Sequence, residues 1–416
     1  MRARSLVVGL LLVLGSAAPS ARGEDALAWE SFPVLRATEM IEPALREGPG
    51  FRVHDAAVSD AFVATWELET PYGLFLCPSL RLLQVRVREL AAIQRAAAAA
   101  PEDEVLRGAQ SRLLDIPTAA VKLVEDPLAT LEGVGKGAER TLGRVGDLFS
   151  KRKKTKYEDG GVDAFLFSAE KRKVAAELGV DVYSTNSKLQ SFLGDIAKAR
   201  RAGGFAVDLA KSAVPGGAGT ALSGLSTVGD LTTLLRDLTP AELDRVADDK
   251  LTRAGVDAFL RRQFLSTRAL SPRHRTTISA AVEALAGVRD LDALVSAACE
   301  SQTEVQALLH EEQAAYFVRQ HRSDDPLVSL DASGGLVAGF CRSGRMLVCA
   351  PVDVLPLVPD VVSAADALLA MPAAAGATSR TVWINGRVTP KAAAYLASRG
   401  FSVEQDGRIV PAAALR

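Results

Sequence analysis

The chain has 416 residues, a formal net charge of −1 at pH 7 and only 5% aromatic residues. This neutral balance gives no global field that would attract nucleic acid or an anionic membrane. Abundant small aliphatic residues with few aromatics favour helix-rich packing, and the length suffices for two or three domains.

Residues 1–23 have the pattern of a signal peptide. Two arginines precede an uncharged apolar run over residues 6–14, and small residues then permit cleavage after Ala18 or Gly23. The run is much shorter than the roughly 20 residues of a membrane-spanning helix. No cysteine precedes Cys77, which excludes a lipid-modified N-terminal cysteine. We therefore expect an exported protein, periplasmic or secreted, with no membrane span in the mature chain and with a peripheral membrane location as one option.

Residues 24–49 are predicted to be a connector, and residues 50–101 a small α/β module. The stretches GFRVH, DAFVATWELE and LFLC are predicted strands, and TPYG between the last two is a typical turn. Residues 80–100 contain strong helix formers, and Pro101 ends that helix. The module should therefore be a β-meander with one helix.

Residues 102–322 are predicted to be a helical domain. Its start signals, each a Ser, Thr or Asn that can cap a helix, lie at Ser168, at Asn186 or Ser187, at Thr239 and at Ser271. Proline follows two of these caps in the first turn. Helices are expected to begin near residues 240, 257, 272, 290 and 303.

A glycine-rich, uncharged run from Ser212 to Gly229 interrupts this domain. A membrane-spanning interpretation is rejected because Pro215 and the two glycines after it would break the helix in its middle. A close-packed hinge or loop is the better interpretation. A helix-turn-helix interpretation of residues 172–199 is also rejected, because the turn is too long and an exported protein would not meet DNA.

The stretch LEGVGKGAERTLGRVGDLFSKRKKTK (131–156) allows three interpretations. It lacks the Lys-Ser/Thr pair of a phosphate-binding loop. Apolar residues recur at helical spacing from Leu128 to Phe149, although glycines weaken such a helix. A basic linker over residues 150–161 follows, which is either solvated or in contact with an anionic surface. The residues of that candidate contact are Lys151, Arg152, Lys153, Lys154 and Lys156.

Residues 326–416 are predicted to form a compact C-terminal α/β domain. A hairpin turns at Ser343–Gly344, and a helix spans residues 361–371. TVWIN and FSVEQ are predicted strands that flank a helix capped by Thr389, and this spacing favours a crossover with parallel strands. A DG turn and a last strand, RIV, complete the domain.

The fold is not expected to depend on disulfides among the four cysteines. A two-residue turn at Ser343–Gly344 would place Cys341 opposite Met346 and Cys349 opposite Ala338. In that register the two sulfur atoms lie on opposite faces of the hairpin, so a bridge between them is disfavoured. The other two cysteines are interpreted as buried thiols.

No motif indicates a metal or a cofactor. LLHEEQAAYFVRQH lacks the second ligand of H-E-x-x-H, and His310 and His321 would lie about 16 Å apart along a helix. We interpret His310, Glu311 and Glu312 as a solvated helix face. His54 and Asp55 near Ser59 resemble catalytic residues in type only, and G-x-S-x-G does not occur.

One possible anion site lies near the start of the last predicted helix. Asn385, Gly386, Arg387 and Lys391 surround its N-terminus, where free N–H groups and two cations favour negative charge. A well-capped loop between strand and helix explains the same residues without a ligand.

These observations predict an α-rich α+β fold, with a small N-terminal β-meander with helix, an all-helical middle and a small C-terminal α/β domain. The preferred function is that of a non-enzymatic, exported cell-envelope protein that binds a partner protein or the membrane surface. The alternative is a periplasmic hydrolase with an unrecognised active site. Such a hydrolase should have a deep cleft with a perturbed carboxylate or histidine where the helical middle meets an α/β end.

Overall fold

The computed structural model describes residues 28–59, 62–99, 102–115, 162–204, 209, 228–333 and 335–405. The predicted signal peptide, the stretch 131–156 with its basic residues, most of the glycine-rich run and the last predicted strand lie outside these ranges. In the described part of the chain, no helix is both long enough and apolar enough to cross a membrane.

The N-terminal unit is an antiparallel sheet with the predicted hairpin at its centre. Its strands are β1 (Val34–Arg36), β2 (Glu47–Gly48), β3 (Phe51–Val53), β4 (Ala56–Ser59), β5 (Ala64–Thr70) and β6 (Gly73–Pro78). Thr70 pairs with Gly73 across the predicted TPYG turn. Two short helices, α1 (Ala37–Met40) and α2 (Pro43–Arg46), and the strands β1 and β2 lie in the range predicted to be a connector. That range therefore contributes two short strands to the sheet as well as two short helices.

Helix α3 (Leu80–Ala99) follows the sheet at the predicted position. Its first turn is capped from the far end of the chain, because Leu80 N donates to Oδ2 of Asp353 at 3.0 Å. Ala64 N at the start of β5 donates to the same oxygen at 2.9 Å. The Asp353 carboxylate thus joins the N-terminal sheet, α3 and the C-terminal unit.

The helical middle contains most of the helices. They are α4 (Glu104–Asp115), α5 (Val162–Leu178), α6 (Ser187–Arg201), α7 (Val228–Asp237), α8 (Pro240–Arg253), α9 (Ala258–Ser266), α10 (Pro272–Ala284), α11 (Asp292–Cys299) and α12 (Glu304–His321). Asn186, Thr239 and Ser271 cap α6, α8 and α10 through their side chains, as predicted. The predicted cap at Ser168 is wrong, since α5 begins at Val162 and Ser168 lies within it.

The C-terminal unit is a mixed five-stranded sheet. Its elements are β7 (Leu327–Ser333), β8 (Leu336–Cys341), β9 (Arg345–Ala350), β10 (Val354–Leu355), α13 (Pro359–Leu369), β11 (Ser379–Ile384), β12 (Arg387–Val388), α14 (Pro390–Ser398) and β13 (Phe401–Gln405). The sheet order is β13-β11-β9-β8-β7. β9, β11 and β13 are parallel, which confirms the predicted crossover, and β7, β8 and β9 are antiparallel. Helices α13 and α14 share one apolar core with this sheet, and α11 and α12 share another.

The predicted register of the β8–β9 hairpin is wrong by one residue. Phe340 pairs with Met346, so the loop holds three residues and Cys341 lies opposite Arg345. Gly344 adopts φ +85° in this loop, a conformation that glycine tolerates and that a three-residue hairpin loop requires. Cys341 and Cys349 consequently contribute to the same apolar core, although they are too far apart along the hairpin to bond. All four cysteines lie in the described part of the chain, and none of them forms a disulfide bond.

The α-rich α+β fold is therefore confirmed, with an antiparallel N-terminal sheet, a helical middle and a C-terminal mixed sheet with helices. The first apolar core joins the N-terminal sheet to α3, α4, α5 and α6, and the second joins α7 to α12 with the C-terminal sheet. Helices α3 and α12 face each other between these cores, and the candidate site lies there.

Candidate functional site

Charged side chains are buried where α3 meets α10 and α12. We call this group the polar seam, and its members, each at most 9% exposed, are Arg81, Arg86, Glu89, Arg273, His274, Glu311 and Glu312. Charged side chains are almost never buried to this extent unless they are paired. The interpretation of His310, Glu311 and Glu312 as a solvated face is wrong, because α12 is buried on all sides between Val305 and Val318.

One end of the polar seam is organised by Arg86. Its Nη1 donates to Glu89 Oε2 at 3.1 Å and to Ser184 Oγ at 3.1 Å. Its Nη2 donates to Glu304 Oε2 at 2.6 Å and to Thr185 Oγ1 at 2.8 Å. Arg86 therefore ties α3 to the loop before α6 and to the first turn of α12.

The other end is organised by Glu311, which has no exposed surface. Its Oε1 lies 2.6 Å from His274 Nδ1 and its Oε2 lies 3.1 Å from Arg273 Nη2. Burial alone would raise the pKa of Glu311, but the charges of Arg273 and His274 outweigh it and lower that pKa to about 2. The carboxylate is thus held in its ionised form.

A small cavity of about 40 Å³ opens between these two ends. Its charged lining residues are Arg81, Arg88, Arg273, Glu89, Asp181 and Glu304. The acids are already engaged by donors of the protein. Glu89 accepts from Arg86 and Asn186, Glu304 accepts from Arg86, and Asp181 Oδ1 accepts from Tyr183 N at 2.8 Å.

Arg81 is not engaged to the same degree. Its side chain is 6% exposed, and its one hydrogen bond to the described part of the chain runs from Nη1 to Gln84 Oε1 at 3.4 Å. Its buried Nε has no hydrogen-bond partner among the described residues. Burial lowers the pKa of Arg81, and burial together with the charges of Arg81 and Arg273 lowers the pKa of Arg88 to about 10. Because arginine stays protonated in proteins, these shifts indicate positive charge that an anion would stabilise.

At the predicted anion site near α14, the predicted residues contact other groups of the protein. Asn385 Nδ2 donates to Glu312 Oε2 at 3.1 Å, so Asn385 belongs to the edge of the polar seam. Arg387 Nη1 pairs with Glu39 Oε2 at 2.7 Å at the protein surface. Gly386 presses against the backbone, since an added Cβ would lie 2.2 Å from the carbonyl oxygen of Asp353.

The N-terminus of α14 meets a carboxylate of the chain itself. Glu30 Oε2 accepts from Thr389 Oγ1 at 2.5 Å and from Leu357 N at 2.7 Å. Lys391 Nζ lies 3.5 Å from the carbonyl oxygen of Ala28. The four predicted residues are thus near one another but face different partners, and binding of an external anion there stays a prediction.

The catalytic-type residues near His54 do not form a serine-based site. His54 Nδ1 lies 2.8 Å from Glu67 Oε2, while Asp55 pairs with Arg36 and caps α1 through Thr38. Among the described residues, no group of three or more His, Cys, Asp or Glu side chains is arranged to hold a metal ion.

Sequence reasoning missed the arginines of the polar seam. One signal was present, because Arg81 lies among apolar residues in LRLLQVRVREL and leaves α3 without a fully polar face. A second was the apolar sequence on both sides of His310-Glu311-Glu312. Charged residues within such apolar runs indicate burial with partners on other elements.

Comparisons of the chain with protein-family models, with curated proteins and with solved structures give no significant match.

Proposed function

We propose that the protein functions by binding and that the cavity at Arg81 holds a small anionic group. The observation that supports this is the buried guanidinium of Arg81, which lines the cavity and makes one long hydrogen bond to the described residues. Unfilled donors on a buried cation are costly, and a carboxylate or an oxyanion satisfies them with charge-assisted hydrogen bonds.

The dimensions and the remaining lining limit the ligand. A volume of about 40 Å³ suits a single carboxylate or a small oxyanion. Val85, Val180 and Leu308 form an apolar part of the wall, which suits a carbon chain attached to the anionic group. The ligand class that this supports is a small organic acid.

The experiment compares anions by calorimetry and by thermal unfolding. Acetate, phosphate and sulfate are titrated into the protein at constant ionic strength, with chloride as the reference salt. At least one of them should bind and raise Tm, and Arg81→Gln should weaken its binding at least tenfold, or about 1.4 kcal/mol. Arg95→Gln is the matched control, because Arg95 is exposed on the same helix. Absence of binding to the wild type, or equal binding by Arg81→Gln, would refute the proposal.

We also propose that this binding protein is exported to the cell envelope and contacts a partner protein or an anionic membrane surface. The support is in the sequence, namely the signal-peptide pattern of residues 1–23 and the basic cluster within residues 151–156. Flotation with anionic liposomes at low and high salt tests the membrane contact. Replacement of the five basic residues by serine should abolish salt-sensitive flotation, whereas flotation of neither protein would direct the search to protein partners.

A periplasmic hydrolase is the second candidate, and His274 favours it. An imidazole whose Nδ1 lies 2.6 Å from a buried carboxylate has the orientation of a general base. A panel of ester, amide and glycoside substrates tests this candidate. Turnover by the wild type that is lost in a folded His274→Gln variant would support hydrolysis, and absence of turnover by the wild type would leave binding as the function.

A further inference from the structure

The C-terminal sheet contains an opening between two neighbouring strands. The β8–β9 ladder runs from Phe340–Met346 to Ala338–Val348 and ends there, although β8 continues to Leu336 and β9 to Ala350. Both strands stay paired with their outer neighbours over these last residues. The strands therefore separate at this end of the sheet.

A cavity of about 60 Å³ lies at this separation. Val337, Val348 and Cys349 line it from the sheet, and Ala364 and Leu368 line it from α13. An apolar cavity of this kind does not hold water well, because water needs two to four polar partners. The space therefore suits an apolar group.

One buried polar side chain belongs to the lining of this apolar space. Gln313 of α12 lines the cavity and is 4% exposed. Its Nε2 donates to the carbonyl oxygen of Cys349 at 3.1 Å, just beyond the end of the ladder, which orients the amide. Its buried Oε1 forms no hydrogen bond of standard geometry with the described residues, although the imidazole of His310 on the same helix interacts with this side chain. A better-placed donor would stabilise this acceptor, because an unsatisfied buried carbonyl is destabilising.

We infer that this cavity binds a small neutral molecule with an apolar body and one O–H or N–H group, which donates to Gln313 Oε1. A 150 Å³ apolar cavity holds the six carbons of benzene, so the enclosed part of the ligand has about two or three non-hydrogen atoms. A short-chain alcohol or a primary amide meets this description. The site is separate from the Arg81 cavity and takes a different class of ligand.

The test uses 1-propanol and xenon as two probes of the same space, each followed by chemical-shift changes in NMR spectra. The wild type should bind both. Gln313→Leu should keep xenon binding and weaken propanol binding at least fivefold, because only the hydrogen bond is removed. Ala364→Phe should lose both probes by filling the cavity, and Ala370→Phe, at an exposed position of the same helix end, should lose neither.

The two probes keep the inference falsifiable even if a variant is less stable, since xenon binding by Gln313→Leu reports an intact cavity. Equal propanol binding by the wild type and Gln313→Leu would overturn it. Xenon binding by the wild type without propanol binding would also overturn it, because the cavity would then be a packing void.

Discussion

The carboxylate of Glu311 lies 2.6 Å from Nδ1 of His274, and neither side chain is more than 4% exposed. The same carboxylate pairs with Arg273, which is also buried. Helices α10 and α12, whose paired residues are 37 positions apart in the sequence, are therefore joined through a carboxylate that has no access to water. The stability of this contact depends on all its members being present.

Glu311→Gln should be strongly destabilising. It removes the closer of the two carboxylates that pair with the buried Arg273 guanidinium, which costs on the order of 3–5 kcal/mol in the free energy of unfolding. Urea unfolding measures the change. Glu283→Gln is the matched control, because Glu283 pairs with Lys250 and Arg253 at a partly exposed position and should cost about 1 kcal/mol or less. Equal effects of the two substitutions would contradict the assignment.

The contribution of His310 to stability should decrease as pH falls from 6.5 towards 4. Burial lowers the pKa of His310 from 6.5 to about 4, so the unfolded chain takes up a proton before the folded chain does. The loss approaches about 3 kcal/mol at the lower end of this range. Asp353 acts with the opposite sign, because burial raises its pKa to about 7 and the folded state then holds its proton more tightly.

The contribution of His310 is isolated by comparing the wild type with His310→Gln between pH 4 and pH 7. As pH falls, the wild type should lose more unfolding free energy than His310→Gln does. The contributions of Asp353 and the other titrating groups are the same in both proteins and cancel in the difference. Parallel pH profiles for the two proteins would show that His310 is not buried in its neutral form.

Gly386→Ala should destabilise the C-terminal unit. An added Cβ would lie 2.2 Å from the carbonyl oxygen of Asp353 and 2.3 Å from that of Val352, and backbone atoms cannot move aside cheaply. We expect a loss of about 2 kcal/mol or more in the free energy of unfolding. Gly376→Ala is the control, because its Cβ would meet no atom within 4 Å. A loss of similar size in both variants would exclude the close approach as the cause.

All four cysteines should be available for alkylation in protein unfolded without a reductant, because none forms a disulfide bond. In the native protein, Cys77 should react most slowly, since it is fully buried and burial raises its pKa to about 12. Mass spectrometry counts the adducts. Only two adducts on the unfolded chain would demonstrate a disulfide and contradict this prediction.

The parts of the fold that depend on local signals are predictable from the sequence. Asn186, Thr239 and Ser271 start helices because a capping side chain acts within three residues of its own position. The predicted β8–β9 register differs from the observed one by one residue, because a loop of two residues and a loop of three residues can both end at Gly344. Local pattern alone does not distinguish these loop lengths.

The candidate site was not predictable in the same way. Arginine and glutamate on a helix are usually solvated, and only the partner elements decide otherwise. Arg86 meets Glu304 across more than two hundred positions of sequence. Gln313 lines a cavity that exists because β8 and β9 separate. The sequence of one strand does not indicate where it separates from its neighbour.

The Asp353 cap has a consequence for how the chain acquires its structure. A chain that emerges N-terminus first produces β5 and α3 long before it produces the carboxylate that binds Ala64 and Leu80. The N-terminal sheet therefore cannot complete these hydrogen bonds until the segment that contains Asp353 is present. Contacts of such long range slow folding. Removal of the C-terminal unit should leave the N-terminal unit incomplete, with the backbone donors at the start of α3 unsatisfied.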